Sequence, residues 1–484
     1  MLVMVLPMAM RAQTNTYQAY FNDVPFGMPA FSAPVFPNTE ANIKQFGGVG
    51  DGQTLCTEAF RKAFAYLEQK GGGRLTVPAG VWFTGPIDLK SNTNLHLEKG
   101  AIILFSPDEE HYPLVNTYYE GLASRRCHSP IYGLNLVNVA ITGQGVIDGN
   151  GQAWRPLKRE KVTEGQWKEM TRGDNGFFKG DRLWYPSKEF VAADSLLRLN
   201  KPISERSEAD WLSMRRFLRP VMVSLVGCKN VLLQGVIFQN SPAWNIHPLM
   251  CENVIIDGVT ARNPSYAQNG DGLDLESCRN ALIINSVFDA GDDGICIKSG
   301  KDAEGRKRAR PCENVVVDGC TVFAGHGGFV VGSEMSGGVR NILVKNCQFL
   351  GTDVGLRFKS RRGRGGIVEN IFIRGISMTD IKVDAIIFNL YYGGQSVVEM
   401  MQSGTKANNV DVMPVDETTP QFRNIHIENI MCQSAGRAML FNGLPEMPIE
   451  NIDLKNINIT ARQDAAIFNC KNISRKNVNI KVAK

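Results

Sequence analysis

Asn269-Gly270-Asp271-Gly272-Leu273-Asp274 is answered one repeat later by Gly291-Asp292-Asp293-Gly294-Ile295. Laying Asp271-Gly272-Leu273 over Asp293-Gly294-Ile295 brings Leu273 and Leu275 onto Ile295 and Ile297, all at the inward, period-2 positions of a strand. The two segments therefore read as neighbouring strands of one stack. Asp271 and Asp293 become rung neighbours, and Asp292 completes a cluster of three carboxylates.

The register extends both ways. Downstream, Gly325-His326-Gly327-Gly328-Phe329 places His326 over Asp292, and Val354-Gly355-Leu356-Arg357-Phe358-Lys359 turns Arg357 and Lys359 outward. Upstream, Ala243-Trp244-Asn245-Ile246-His247 fits with His247 facing out. One outward column is expected to read His247, Glu276, Lys298, Gly332, Lys359. Strands stack about 4.8 Å apart, so these side chains would share one strip of surface.

A repeat surrounds this core. Asn followed by apolar residues recurs at Asn138, Asn230, Asn253, Asn280, Asn314, Asn341, Asn370, Asn424, Asn451 and Asn477. From Asn230 onward the spacings are 23, 27, 34, 27, 29, 54, 27 and 26 residues. The 34 holds a basic insert, Gly300 to Pro311, and the 54 is either two periods or one coil with a long loop. Periods of this length mean a solenoid, and repeats made of short strands without helical spacing point to a parallel β-helix. Propeller blades need about 40 residues or more. The expected fold is therefore all-β, a right-handed parallel β-helix with stacked Asn side chains at equivalent turns.

Before the repeat, Asn42 to Gly47 reads as a strand. Phe60, Ala63, Phe64 and Leu67 then recur at i, i+3, i+4 and i+7 up to Gly71, which predicts a capping helix over 57–70. Strands are expected at Arg74 to Val77, Val81 to Thr84, Asn94 to Leu97 and Ala101 to Phe105. This divides the chain into an N-terminal section, 13–90, and a β-helix, 91–484, with insertions at 151–216 and 391–420. Loops this long inside a compact repeat are usually functional or disordered, and Trp154, Trp167, Trp184 and Tyr185 argue against pure disorder in the first.

Composition sets outer bounds. A chain of 484 residues, 43% hydrophobic and 21% charged, has ample material for a core. A net charge of +5 gives little reason to expect nucleic acid, although a local basic strip would suit a polyanion. Residues 1–12, Met1-Leu2-Val3-Met4-Val5-Leu6-Pro7-Met8-Ala9-Met10-Arg11-Ala12, resemble the tail of a secretory signal, hence an expected secreted or periplasmic location. No later apolar run reaches the roughly 20 residues a membrane span needs. Of eleven cysteines, Cys228, Cys251, Cys278 and Cys312 each sit two residues before a repeat-anchoring Asn, where later repeats carry Val339, Val368, Phe422 and Ile449. They read as a buried ladder of small hydrophobes rather than as disulfides or a zinc site.

Asn269 with Asp271, then Asp292-Asp293, Gly325-His326-Gly327 and Arg357 with Lys359 follow in an order that resembles the polygalacturonases, glycoside hydrolase family 28. Singly, each pattern is common in turns, loops or exposed strands. Four in order on consecutive rungs are specific. The resemblance implies hydrolysis of α-1,4-galacturonosyl linkages with inversion, no metal and no cofactor. It makes Asp292 the general acid and Asp271 with Asp293 the pair that activates water, with His326 tuning the acid. Arg357 and Lys359 would hold the galacturonate carboxylate, with Asn269, Lys298 and His247 as further substrate contacts. A guanidinium and an ammonium independently suit a carboxylated sugar. Asp274 could equally serve only to hydrogen-bond its turn.

The 151–216 insertion favours exo cleavage, and a monomer is expected. Three readings compete: a rhamnogalacturonan or decorated-pectin hydrolase of the same family, a Ca²⁺-dependent β-helix pectate lyase, and a carbohydrate-binding β-helix without catalysis.

Overall fold

The computed structural model describes residues 16–172, 177–198, 205–393 and 412–483. Within them 31 strands join into one parallel system wound as a right-handed β-helix. A representative coil runs Leu273–Glu276, Arg279–Ile284 and Val287–Asp289, and the next runs Asp293–Lys298, Cys312–Asp318 and Thr321–Phe323. Each strand pairs with its counterpart one coil away. Leu273 meets Ile295, Ile295 meets Phe329 and Phe329 meets Leu356, as the alternation requires. These inward side chains form one continuous core.

The Asn repeat becomes a physical ladder. Asn138, Asn230, Asn253, Asn280, Asn314, Asn341 and Asn370 each donate Nδ2 to the Oδ1 of the Asn one coil earlier, over 2.9–3.3 Å. All of them have left-handed backbone, which Asn tolerates better than branched residues, so each turns the chain and bonds its neighbour at once. The ladder starts one step earlier than expected, at Asn92, and its last step is Asn472 on Asn451. Asn477 belongs to a second row, bonded to Asn456, which is itself bonded to Asn429. The two rows stand five residues apart and the last coil shortens to 21 residues, which shifted the expected anchor by one row. Between Asn370 and Asn424 there is one coil, since Ile371 pairs directly with Ile425.

Cys228, Cys251, Cys278 and Cys312 lie in the core as free thiols, in a row continued by Val339, Val368, Phe422 and Ile449. The helix Thr57–Gln69 buries Phe60, Ala63, Phe64 and Leu67 against the first strands and closes that end of the core. Strands at 73–77 and 93–97 pair with each other and then with Val137–Gly143, so the stack is continuous through residue 90. The strand expected at 42–47 is instead a 3₁₀ turn, Ile43–Phe46. Asn42 caps it by accepting from the Lys44 N–H, Gln45 reaches back to the Asn42 N–H, and Gly47 ends it at φ +88°. Local side-chain bonds there outcompete the ladder.

A second correction concerns His247. Ile246 pairs with Leu273 and Leu249 with Glu276, so His247 stands beside Asp274 rather than in the Glu276 column. A slip of two residues keeps every side chain on its face, so alternation could not detect it.

Within 151–216 the described residues form a small three-stranded sheet and the helices Glu164–Met170, Lys188–Arg198 and Glu208–Ser213. The signal-like segment 1–12 lies outside the described residues, as do 394–411 of the second insertion. No described helix is long and apolar enough to cross a membrane.

Candidate active site

Successive rungs bring the acids together. The Gly272 N–H donates to Asp293 O at 2.9 Å and the His326 N–H to Asp292 O at 2.7 Å. A Cβ on Gly325 would lie 2.9 Å from Asp292 O, so only glycine lets the His326 loop approach this closely. One oxygen from each of Asp271, Asp292 and Asp293 falls within 4.8 Å of the others. The three line a cleft of about 280 Å³. A larger groove of about 710 Å³ around His96 and Gln234 offers Glu98 as its one acid, too few for paired carboxyl chemistry.

The three carboxylates have different neighbours. Asp292 Oδ1 lies 3.0 Å from His326 Nδ1 and accepts the Asp293 N–H at 3.0 Å. Its Oδ2 receives no bond from the described residues, and Asp292 is the most exposed of the three. Asp293 is buried and pinned by Lys359 Nζ at 2.6 Å and Arg357 Nη1 at 3.4 Å. Asp271 is also buried: Lys298 Nζ stands 3.9 Å from its Oδ2, and its Oδ1 takes no bond from the described residues. Lys298 lies 3.1 Å from Asp274, 3.3 Å from Glu334 and 4.1 Å from the centre of the Trp244 ring.

These surroundings separate the proton affinities. Burial, then repulsion from Asp274 and Asp292, pushes Asp271 well above the usual carboxylate range. Burial also lifts Asp274, to about 6, against the pull of Lys298 and His247. Burial would raise Asp292 too, but His326 when protonated, its hydrogen bond, and the charges of Lys359 and Lys161 act against that and bring it below the usual range. For Glu334 burial likewise opposes ionisation, and Lys298, Lys359 and Arg364 outweigh it, bringing the group down to about 2.

Asp271, Asp292, Asp293, Asn269, Lys298 and Lys359 all border the cleft. Asn269 is held from behind, with Arg219 Nη2 donating to its Oδ1 at 2.8 Å. Arg357 and Lys359 point out of the core but are not exposed: both are nearly buried against Asp293. His247 is 1% exposed, with Nε2 3.0 Å from Glu276 Oε2 and its ring against Trp244. It lies beneath the cleft wall, neither on a solvated face nor in the cleft.

Other cleft residues escaped the sequence reading. Trp244, Glu334, Arg361, Arg364 and Tyr392 complete the lining. Trp244 stands in a quoted stretch and Tyr392 in the 391–420 insertion, both without a role, because alternation says nothing about residues in the turns that flank a strand. Glu120 and Lys301 enter from an unpredicted wall. The hairpin of Leu114–Tyr119 and Leu122–Cys127 meets the helix Asp302–Arg308 of the basic insert. Lys301 N donates to Gly121 O at 3.1 Å, Ala123 N to Glu304 Oε1 at 2.7 Å, and Arg308 lies over the Tyr118 ring.

The three acids could hold a cation by proximity alone. Their partners argue otherwise. Ca²⁺ needs six to eight oxygens, whereas here Lys359, Arg357 and Lys298 already face two of the three carboxylates.

The sequence profile of glycosyl hydrolases family 28 matches residues 215–481. A protein named probable polygalacturonase from Vitis vinifera is 28% identical over 429 residues, 87% of this chain and 74% of its own. The exo-poly-alpha-D-galacturonosidase of Dickeya chrysanthemi is 31% identical over 360 residues, covering 72% of this chain and 57% of its own length. Among solved structures, the hyperthermoactive exopolygalacturonase of Thermotoga maritima superposes with a TM-score of 0.77 at 33% identity, over 93% of this chain and 94% of that one.

Proposed function

The chain belongs to glycosyl hydrolases family 28, and from that premise we propose that it cleaves α-1,4-galacturonosyl linkages of pectin or polygalacturonate from chain ends, with inversion. The observation that carries this reading is the division of labour among the acids. Asp292 borders the cleft, with one oxygen held by two donors and the other taking no bond from the described residues, which suits a proton delivered to a glycosidic oxygen. Asp271, with high proton affinity and an oxygen that takes no bond from the described residues, suits the base that takes a proton from water. Asp293 is tied to two cations, which makes it a poor nucleophile and a fixed anchor for that water.

In the free cluster, electrostatics favours the proton on Asp271. A galacturonate carboxylate arriving beside Lys359 partly cancels that cation and raises the proton affinity of Asp292. The proton then sits on the acid, and Asp271 is left ionised to activate water. The acids lie closer than the roughly 6.5–9.5 Å common between the carboxyls of inverting enzymes. Inversion therefore rests on the family and on the poor nucleophilicity of Asp293, which two cations hold.

Lys359, which lines the cleft beside Asp293, would take the reacting sugar's carboxylate, with Arg361 and Lys301 also lining the cleft and Arg357 supporting through Asp293. The polymer is met outside the cytoplasm, so a secreted or periplasmic place of action accompanies this reading.

Exo cleavage is supported by the wall of hairpin and insert helix along one side of the cleft, and by the names of two relatives. Polygalacturonate treated with the enzyme is expected to lose viscosity slowly relative to new reducing ends, with small saturated products from the start. Replacing residues 117–124 by a two-residue turn removes the wall. That variant should cut internally and lower viscosity several-fold faster per bond broken. Unchanged viscosity loss per bond in the variant would detach exo action from this wall.

A further inference from the structure

Among the described residues, the 151–216 insertion reaches the catalytic cluster through Lys161. Lys161 lies in the short turn Arg159–Lys161, between the strand Leu157–Lys158 and the helix Glu164–Met170, which Thr163 caps. Its Nζ is 2.7 Å from His326 Nε2, and the opposite ring nitrogen is 3.0 Å from Asp292 Oδ1. An ammonium carries donors and no acceptor, so a bond at this distance makes His326 Nε2 the acceptor. The ring proton then belongs on Nδ1, where it is donated to Asp292 Oδ1.

We propose that Lys161 is a positioning residue of the acid catalyst: by donating to His326 Nε2 it fixes the tautomer whose Nδ1–H holds Asp292 Oδ1. This deepens the proposed function, since it rests on Asp292 being the acid. The other groups facing His326 fit. Asp353 Oδ2 is 3.8 Å from Nε2, beyond hydrogen-bonding distance, and the other oxygen of that carboxylate, Oδ1, accepts from Lys382 at 3.3 Å. Arg357 donates to the His326 carbonyl at 3.3 Å and leaves the ring free.

The arrangement has a chemical consequence. An imidazolium beside Asp292 would draw the proton off the acid, whereas a neutral ring held from its far side orients the carboxyl and leaves Oδ2 to carry the proton. Lys161 stands about one imidazole away from Asp292, so its own charge acts on the acid at longer range. The insertion thus contributes to turnover without lining the cleft.

The test uses the full-length enzyme labelled with ¹⁵N-histidine, in which six histidines are resolved by long-range ¹H–¹⁵N correlation and His326 is assigned with His326→Asn. In the parent enzyme, His326 should show Nδ1 protonated and Nε2 unprotonated. In Lys161→Met, measured at the same pH, the ring should no longer be held to that single tautomer. Turnover of polygalacturonate by this variant should fall on the order of tenfold at unchanged KM, and Lys161→Arg, also donor-only, should recover most of it. If Lys161→Met does not fold, Lys161→Ala is read the same way. An unaltered tautomer in the Met or Ala variant would overturn the proposal. So would a loss of activity in which KM rises in step and arginine fails to rescue. The tautomer is read without substrate, so it stands apart from any failure of the acid assignment itself.

Discussion

Asp292→Asn is expected to lose turnover on polygalacturonate by roughly 10²–10⁴-fold while still binding substrate, because the amide keeps the shape of the carboxyl and removes its proton. A sugar is a poor leaving group and needs that proton. A nitrophenolate departs largely without it, so Asp292→Asn should recover preferentially on an activated aryl galacturonide. Asp271→Asn and Asp293→Asn impair water activation and should show no such recovery. The free Asp292 Oδ2 and the donors on Oδ1 are what distinguish it from its neighbours. Kinetics on both substrates decide the matter: rescue of the Asp271 or Asp293 variant instead would exchange the acid and base.

Lys359→Ala should strike both stability and catalysis. Outward positions on the strand, taken alone, imply that Arg357 and Lys359 can be truncated without disturbing the fold. The structure corrects this, for Lys359 is buried and 2.6 Å from buried Asp293. Removing it leaves buried Asp293 to the longer Arg357 contact at 3.4 Å, so the loss should be a part of the about 3–5 kcal/mol that breaking a buried pair typically costs. Much of that loss should return in the double variant Lys359→Ala with Asp293→Asn, since the asparagine leaves no charge to compensate. Activity should not return with it, because both a substrate cation and a water-orienting carboxylate are gone. Denaturant unfolding of the two variants and the parent reads the effect. Equal instability of the single and double variants would mean that Lys359 stabilises through packing rather than charge.

What the sequence made legible follows from periodicity. Leu273 over Ile295 and His326 over Asp292 could be found because one inward face repeats and fixes the rungs, and the three acids then fall together without further assumption. His247 slipped by two residues because alternation is blind to an even shift. Asn477 was taken for Asn472 because two rows of Asn run five residues apart. Burial of Arg357 and Lys359 was hidden for a different reason. Outward from the core implies exposure only on a bare face, whereas here Tyr392 lies over both cations. Lys161, Glu120 and Tyr392 come from loops far along the chain, where no repeat constrains position. Contacts such as Lys161 with His326, 165 residues apart, are legible only once the chain is folded.

The central claim is that water, activated by acids without metal, displaces the leaving sugar directly. Tetragalacturonate hydrolysed in excess chelator and followed from the first turnovers by ¹H NMR tests it most directly. The account predicts undiminished activity and a saturated product released first as the β-anomer, mutarotating afterwards. First release of the α-anomer would mean a covalent intermediate, and a C4–C5 double bond with loss of activity on chelation would mean elimination; either would contradict it.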